Sequence, residues 1–317
     1  TYPDHEEWFV EEVKKEADFQ TRRLNNYASI VLWCGNNENN RGFVEWWDLQ
    51  TDSGAKLYNN VLPEIVYRNV PDIPYWNGSP YGGESPNCAE VGDRHHWLDC
   101  MMNPEMEKRI TPQEYDKVDP SFISEYGYVG PCSYDTTVKY LDGEPFDRGH
   151  KAWQHHNNTF EKDTVIAGIK KHYCNPDKLT DEEYLLYAGL CQGMMYEYSL
   201  DSFRSRLNCG GGLFWMYNDC WGEVGWTIID YYLNRKISYN FVRRANAAQR
   251  LIIRERDNRL YIYMANDMTH KYQGELEYGY YSFDGKVIDV QKDNIKIGSY
   301  TRKKIIDMKV QDYDLKK

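Results

Sequence analysis

The sequence lacks most of the signals that assign a chain to a specialised class of protein. No stretch approaches the roughly 18 consecutive apolar residues that a membrane span needs. There is no excess of basic residues: 49 Asp and Glu outnumber 38 Lys and Arg, and the net charge is −11. A negative net charge argues against nucleic acids and anionic membranes as partners, since both repel an acidic surface.

Metal-binding and cofactor-binding patterns are also missing. The eight cysteines form no CxxC pair and no Cys/His cluster at zinc spacing, and their even number permits disulfides without requiring them. Two His-His pairs, His95-His96 and His155-His156, lack the i, i+4 spacing with an intervening acid that a catalytic zinc site uses. We therefore expect neither a cofactor nor a catalytic metal.

Aromatic residues, by contrast, are abundant. The chain contains 28 Tyr and 10 Trp. Each offers a flat apolar face and a polar edge, which matches the two-sided character of a sugar ring. Packing of a large core is the other explanation, and composition alone does not separate the two.

Short apolar runs alternate with helical patterns in the first three-quarters of the chain. Residues 29–33 form an apolar run that stops at Gly35, as a fully buried parallel strand does. Further strands are predicted near 95–97, at 121–124 and at 212–217, and helices at 4–24, at about 53–69 and, as two or three helices, over 134–206, the longest at 181–206. The alternation predicts a parallel sheet or an α/β barrel, with too few strands for a complete eight-stranded barrel.

After residue 247 the hydrophobic period changes to two. Three segments alternate in this way and are separated by turn signals such as Asp257-Asn258 and Asp284-Gly285. The pattern predicts antiparallel strands, as part of an immunoglobulin-like sandwich. We therefore divide the chain into a barrel portion, 1–246, and a β portion, 247–317.

Two glutamates follow predicted strands directly. Glu38 ends the segment Trp33-Cys34-Gly35-Asn36-Asn37-Glu38, and Glu125 follows Ser124 at the end of another strand. The carboxyl ends of parallel barrel strands open onto one face, so both side chains are expected in one pocket. Two facing carboxylates are what glycosidic cleavage needs: one donates a proton and the other stays ionised. Ordinary loop glutamates in salt bridges are the alternative.

Five sequence motifs, which occur along the chain in the same order as in the family, resemble those of glycoside hydrolase family 2, most closely its β-mannosidases. Leu32-Trp-Cys-Gly-Asn-Asn-Glu38 is similar to the acid/base motif, and Phe122-Ile-Ser-Glu-Tyr-Gly127 is similar to the nucleophile motif. Gly212-Leu-Phe-Trp-Met-Tyr-Asn-Asp219 resembles the segment after the eighth barrel strand. Ser79-Pro-Tyr-Gly-Gly83 and Gly92-Asp-Arg-His-His-Trp97 resemble segments after the fifth and sixth strands.

The resemblance implies a role for each matching residue. Glu38 would be the general acid and then the general base, and Glu125 the nucleophile. Asn37 would bind the sugar 2-hydroxyl and Trp215 would form the floor of the sugar subsite. Trp97, with Trp46 or Trp47, would add aromatic walls, although core packing explains these Trp residues equally well. Asp219 is a further candidate, with a buried structural role as the alternative.

The same resemblance implies an incomplete (β/α)8 TIM barrel, about strands 4–8, and a retaining exo-β-glycosidase that hydrolyses terminal β-D-mannosyl residues. The expected partners are a glycoside substrate and a missing N-terminal part of the same polypeptide. The compartment expected from the family is periplasmic, secreted or lysosomal. After Glu125 the segment Tyr126-Gly-Tyr-Val-Gly-Pro131 departs from many mannosidases, which leaves the sugar open. An exo-β-glucosaminidase, another family 2 β-glycosidase and a noncatalytic carbohydrate-binding remnant remain alternatives.

Overall fold

A computed structural model describes residues 2–48, 54–157 and 162–310. They form two compact units, which are described separately below. The first unit consists of residues 1–97, 118–126 and 210–214, and the second of residues 98–117, 127–209 and 215–317. The start of the helix predicted from residue 53 and the last seven residues of the predicted β portion lie outside the described residues. No helix in the described ranges is long and apolar enough to cross a membrane.

The first unit combines short strands with three helices. Its strands and helices are α1 (Glu7–Leu24), β1 (Trp33–Cys34), α2 (Asn39–Arg41), α3 (Leu62–Asn69), β2 (Tyr75–Trp76), β3 (Arg94–His95) and β4 (Ile123–Glu125), with π-helical turns at Gly42–Trp46 and Leu57–Val61. Helix α1 packs against the second π-helical turn and α3 through a cluster of apolar side chains: Val10, Leu57, Tyr58, Val61 and Ile65. The predicted amphipathic helix at the start of the chain is confirmed.

All strand pairs of this unit are parallel. Strand β1 pairs with β2, and a further bridge joins Asn37 to Ser79. Strand β3 pairs with β4, and Ile123 of β4 bridges to Gly212. In each pair the two strands are consecutive in the chain, as neighbouring strands of an α/β fold commonly are. The described residues contain no complete barrel.

Two of the predicted strands are corrected by the structure. The run 29–33 is not a fully buried strand, because only Trp33 of this run belongs to β1 and the Val31 side chain is 73% exposed. Within the described residues β1 pairs with β2 alone, so the run before it has solvent on its open side. The strand predicted at 212–217 is reduced to the bridge at Gly212, beside which Leu213 N–H donates to the Ile123 carbonyl.

The second unit is built around one long helix. Its helices are α4 (Met106–Arg109), α5 (Tyr134–Leu141), α6 (Lys151–His155), α7 (Lys162–His172), α8 (Asp181–Ser205) and α9 (Ile237–Ala245), with 3-10 turns at Pro112–Asp116 and Pro176–Lys178. Helix α8 confirms the predicted longest helix and begins with a capping box between Thr180 and Glu183. The described part of 134–206 holds four α-helices rather than two or three, because α6 and α7 are separate short helices.

The strands of this second unit follow its helices in the chain and are antiparallel, as predicted. They are β5 (Gln249–Arg256), β6 (Arg259–Asn266), β7 (Tyr272–Tyr281), β8 (Val287–Ile297) and β9 (Thr301–Lys309), arranged as the sheets β5-β6-β9 and β7-β8. The turn between β5 and β6 uses Asp257 and Asn258 at φ 51° and 59°, the left-handed pair that a two-residue hairpin loop needs. The change from helix to sheet falls between Ala245 and Gln249; the division of the chain at 246/247 stays a prediction.

Candidate active site

Glu38 sits in a constrained turn at the end of β1. Its backbone is left-handed at φ 59° and ψ 6°, which costs a non-glycine residue about 1–3 kcal/mol. Its N–H donates to the Ser79 carbonyl at 2.7 Å, and its own carbonyl accepts from Gly42 N–H at 2.7 Å. The Asn36 side chain closes the turn by accepting from Asn39 N–H and donating to the Asn77 carbonyl. These bonds hold the strained residue in place.

Glu125 is placed by β4, of which it is the last residue. Its carbonyl accepts from His96 N–H at 2.7 Å, which pairs the end of β4 with the segment that follows β3. Its side chain accepts a hydrogen bond from Trp97 Nε1 at 3.0 Å. The carboxylate is therefore oriented by a residue of the neighbouring segment.

His95 lies between the two glutamates. Its Nδ1 is 2.8 Å from Glu38 Oε1 and 3.8 Å from Glu125 Oε2. One oxygen from each carboxylate and one imidazole nitrogen all lie within 4.8 Å of one another. The structure thus brings together the two carboxylates that follow separate strands in the sequence.

The electrostatic environments of the two glutamates differ. Burial raises the pKa of Glu125 above its usual range; His95 and the Trp97 N–H oppose this rise, and the charge of Glu38 adds to it. Glu38 also has Arg41, whose guanidinium lies 3.6 Å from Glu38 Oε1 and 2.8 Å from Glu45. A buried carboxylate next to a second one shifts towards its protonated form, because two close negative charges are unfavourable.

The other candidates of this unit lie near the glutamates in the chain but differ in exposure. The Asn37 side chain is exposed, and its backbone bridges to Ser79. Trp46 is 49% exposed, and the Arg41 guanidinium lies 4.8 Å from its ring centre. Trp97 is only 7% exposed and donates to Glu125, so its position favours packing and orientation of the carboxylate over an open sugar wall.

Trp215 and Asp219 belong to the second unit. Trp215 is 44% exposed, which leaves a ring face accessible, and its carbonyl accepts from Tyr196 Oη. Asp219 is buried, 3.5 Å from Lys236 Nζ, and burial raises the pKa of its carboxyl while Lys236 opposes the rise. The position of Asp219 favours the structural alternative that the sequence left open; its role in sugar binding stays a prediction.

Within the described residues, two groups of side chains could be considered as metal ligands: the glutamates with His95, and the second histidine pair. Glu38, His95 and Glu125 each offer one ligand atom, but the hydrogen bond between His95 Nδ1 and Glu38 Oε1 accounts for the closeness of these two residues without an ion. The second histidine pair is engaged elsewhere: His156 stacks on Trp221 at 4.6 Å, and its Nδ1 contacts the Gly222 carbonyl. The expected absence of a catalytic metal stays a prediction.

Sequence reasoning missed the side chains that surround Glu38. His95 was weighed only as a metal ligand, and Arg41, Ser79 and Asp93 were not singled out. A signal existed for three of them, since His95 and Asp93 lie in the motif Gly92-Asp-Arg-His-His-Trp97 and Ser79 opens the motif after β2. The missing information was that β1 pairs with β2 and β3 with β4, and that contacts of Ser79 with Asp93 and His95 bring the ends of the two pairs together.

Comparisons with known proteins bear on both units. Residues 258–316 match the family model described as the mannosidase Ig/CBM-like domain. A β-mannosidase B of Thermothelomyces thermophilus is 30% identical over 269 residues, which cover 75% of this chain and 30% of that protein. A β-D-mannosidase of Dictyoglomus thermophilum matches in structure with a TM-score of 0.87 and 34% identity, over 99% of this chain and 38% of that one.

A more distant match is the exo-chitosanase of Amycolatopsis orientalis, with a TM-score of 0.59 and 15% identity over 93% of this chain and 34% of that one. This likeness concerns the fold alone. The chain spans about a third of the length of these relatives. The comparisons confirm the resemblance to the β-mannosidases, and the β-portion match supports an immunoglobulin-like fold there.

Proposed function

Because this chain is related in sequence and structure to the β-mannosidases of glycoside hydrolase family 2, we propose that it carries the catalytic carboxylates of a retaining exo-β-glycosidase. The proposed substrate is a terminal β-D-mannosyl residue. Strands β1 to β4 and the segment at Gly212 correspond, in this proposal, to strands four to eight of a TIM barrel. The earlier strands and domains would come from a preceding part of a longer polypeptide, in keeping with the fraction of each relative that the chain covers.

One observation carries the mechanistic part of the proposal. An oxygen of Glu38 and an oxygen of Glu125 lie within 4.8 Å of each other. Retaining glycosidases hold their carboxyl groups about 5–5.5 Å apart, whereas inverting ones need roughly 6.5–9.5 Å to admit a water molecule. The short separation therefore supports direct attack by one carboxylate on the sugar.

In the first step Glu125 attacks the anomeric carbon while Glu38 gives its proton to the departing glycosidic oxygen. In the second step Glu38 removes a proton from water, which displaces Glu125 from the glycosyl-enzyme with overall retention. Asn37 would contact the 2-hydroxyl of the sugar. For Trp215, contact with the ring face of a sugar remains the role that the family resemblance implies.

The raised pKa of Glu125 has a consequence for this assignment. A nucleophilic carboxylate must be ionised, so a raised pKa moves the loss of activity in acid to a higher pH than an ordinary glutamate would give. The Trp97 N–H favours the ionised form. The pKa of Glu125 is therefore set by opposing contributions from burial and from nearby donors, as is common for catalytic carboxylates.

The test uses the native full-length polypeptide that contains this chain. It is assayed with aryl β-mannoside, β-glucosaminide, β-galactoside and β-glucuronide, beside Glu125→Gln and a control, Glu12→Gln, on the exposed face of α1. We expect cleavage of the mannoside, its loss in Glu125→Gln and no change in Glu12→Gln. A 2-deoxy-2-fluoro mannosyl fluoride should label the peptide that contains Glu125, and NMR should show β-mannose as the first product.

Other outcomes discriminate between the alternatives. Preference for the glucosaminide would keep the mechanism and change the sugar. First formation of α-mannose would overturn the retaining mechanism. Binding of mannosides by a folded protein that cleaves none of the four glycosides would replace the enzyme with a noncatalytic carbohydrate-binding role.

A further inference from the structure

His95 is a buried side chain whose two ring nitrogens both face hydrogen-bonding partners. Its side chain is 1% exposed. Nδ1 lies 2.8 Å from Glu38 Oε1, and Nε2 lies 2.9 Å from Ser79 Oγ. A neutral imidazole carries one proton, so one of these contacts has nitrogen as donor and the other has it as acceptor. The partners of Ser79 decide which.

The serine belongs to a small network around Asp93. Ser79 Oγ and Ser124 Oγ both lie within hydrogen-bond distance of Asp93 Oδ2, at 2.6 and 2.5 Å, and Tyr81 N–H donates to Asp93 Oδ1 at 2.8 Å. Ser79 Oγ also lies 3.1 Å from Ser124 Oγ, but the contacts of both serines with Asp93 are shorter. An ionised carboxylate only accepts hydrogen bonds, so each serine directs its single proton to Asp93. Ser79 Oγ then has only lone pairs left for His95.

The network therefore places the imidazole proton on Nε2, where it donates to Ser79 Oγ. Nδ1 is left as an acceptor, and it faces Glu38 Oε1. Two acceptors at 2.8 Å would repel each other, so this contact requires one further proton, shared between Nδ1 and Oε1. The proton is available whether it resides mainly on the carboxyl or on the imidazole.

We propose that His95 is a positioning residue that keeps the catalytic proton on the Glu38–His95 pair, through the Asp93–Ser79 contacts that fix its tautomer. This inference rests on the proposed function of Glu38 as the general acid. In the first step the shared proton leaves through Glu38 to the glycosidic oxygen, as the bond from that oxygen to the anomeric carbon breaks. In the second step Glu38 takes a proton from water, and the pair regains its proton.

The charges around the pair partly offset one another. Arg41 lies 3.6 Å from Glu38 Oε1 and by itself would favour loss of the proton, but it also pairs with Glu45 at 2.8 Å. Glu125 Oε2 lies 3.8 Å from Nδ1 and favours retention of the proton, and Asp93 acts from the far side through Ser79. One carboxylate, that of Glu125, and a serine bonded to a second one, that of Asp93, thus oppose a single guanidinium that is already paired with Glu45.

The experiment compares two mannosides in the native full-length polypeptide. A dinitrophenyl mannoside has a leaving group that departs without a proton, whereas an alkyl mannoside, whose alkoxide is a poor leaving group, depends on the general acid. For His95→Ala we expect kcat/KM to fall on the order of 10²-fold for the poor leaving group and to stay within a few-fold for the dinitrophenyl substrate. The basic limb of the poor substrate's pH profile should move to lower pH.

Ser79→Ala is the milder companion variant, since it removes the hydroxyl that fixes the tautomer and links His95 to Asp93 but keeps the imidazole. It should show the same leaving-group dependence with a smaller loss. Equal losses for both substrates, or an unmoved basic limb in both variants, would overturn the role of His95. Because wild-type cleavage of the mannoside tests the proposed function separately, a failure of that function is recognised before the variants are compared.

Discussion

Two acidic sites, one in each unit, show how different surroundings suit different roles. In the first unit the side chains of Glu38 and Glu125 keep 23% and 14% of their surface exposed, and they converge on His95. In the second unit the side chains of Asp219 and Lys236 are each 1% exposed, and the two charges lie 3.5 Å apart. Both sites contain carboxyls whose pKa is raised by burial.

The difference lies in what each carboxylate can still contact. Glu38 and Glu125 retain surface through which a substrate can approach, and their strained or oriented backbones hold them facing a common histidine. The Asp219 side chain is buried by packing and lies next to a countercharge, an arrangement that is typical of a structural ion pair. Glu38, Glu125 and Asp219 all follow apolar runs in the sequence, so the two sites are separated by accessibility and by the Lys236 countercharge.

The largest expected effect is on catalytic activity, and it compares a substitution at Glu125 with one at Asp219. Glu125→Gln should lower kcat/KM for an aryl mannoside by on the order of 10⁴-fold or more, because the proposed nucleophile is removed while the shape is kept. Asp219→Asn should change kcat/KM less than tenfold in protein that remains folded by circular dichroism. A loss in Asp219→Asn as large as that in Glu125→Gln would make Asp219 part of the catalytic machinery and end the comparison.

The next effect concerns stability. Lys236→Met leaves Asp219 buried without its countercharge and should lower the free energy of unfolding by roughly 3–5 kcal/mol at neutral pH. Because the raised pKa of Asp219 would rise further, the loss should shrink as the pH falls and the carboxyl is protonated. Chemical unfolding at neutral and acidic pH measures both.

The double variant Lys236→Met/Asp219→Asn is the matched control for that measurement. It removes both charges, so it should recover much of the lost stability and lose the pH dependence. A double variant as unstable as the single one would show that the packing of Lys236, rather than its charge, stabilises the second unit.

The smallest effect concerns the pH profile. Trp97→Phe removes the N–H that favours ionised Glu125, so the pKa of Glu125 should rise and the acidic limb of kcat/KM should move to higher pH. Trp8→Phe, on the exposed face of α1, is the control and should leave the limb in place. An acidic limb that moves to lower pH in Trp97→Phe would contradict the orienting role of the indole.

Part of the fold could be predicted from local pattern. The helix Glu7–Leu24, the long helix Asp181–Ser205 and the antiparallel strands after residue 248 follow periodicity, capping and turn signals that neighbouring residues carry. The runs at 29–33 and 212–217 were predicted wrongly as full strands. Apolar composition identifies a segment that can be buried, but the extent of a strand depends on which partner lies beside it.

The amino-acid sequence shows which residues carry acid, imidazole and indole groups, and it predicts that two glutamates follow separate strands. It also contains the motifs on which the relation to β-mannosidases rests. The folded structure was needed to show that His95 lies between the glutamates, that Ser79, itself bonded to Asp93, contacts and orients it, and that Asp219 is buried against Lys236. Parallel pairing joins segments tens of residues apart, and contacts between such segments depend on backbone geometry that no local pattern encodes.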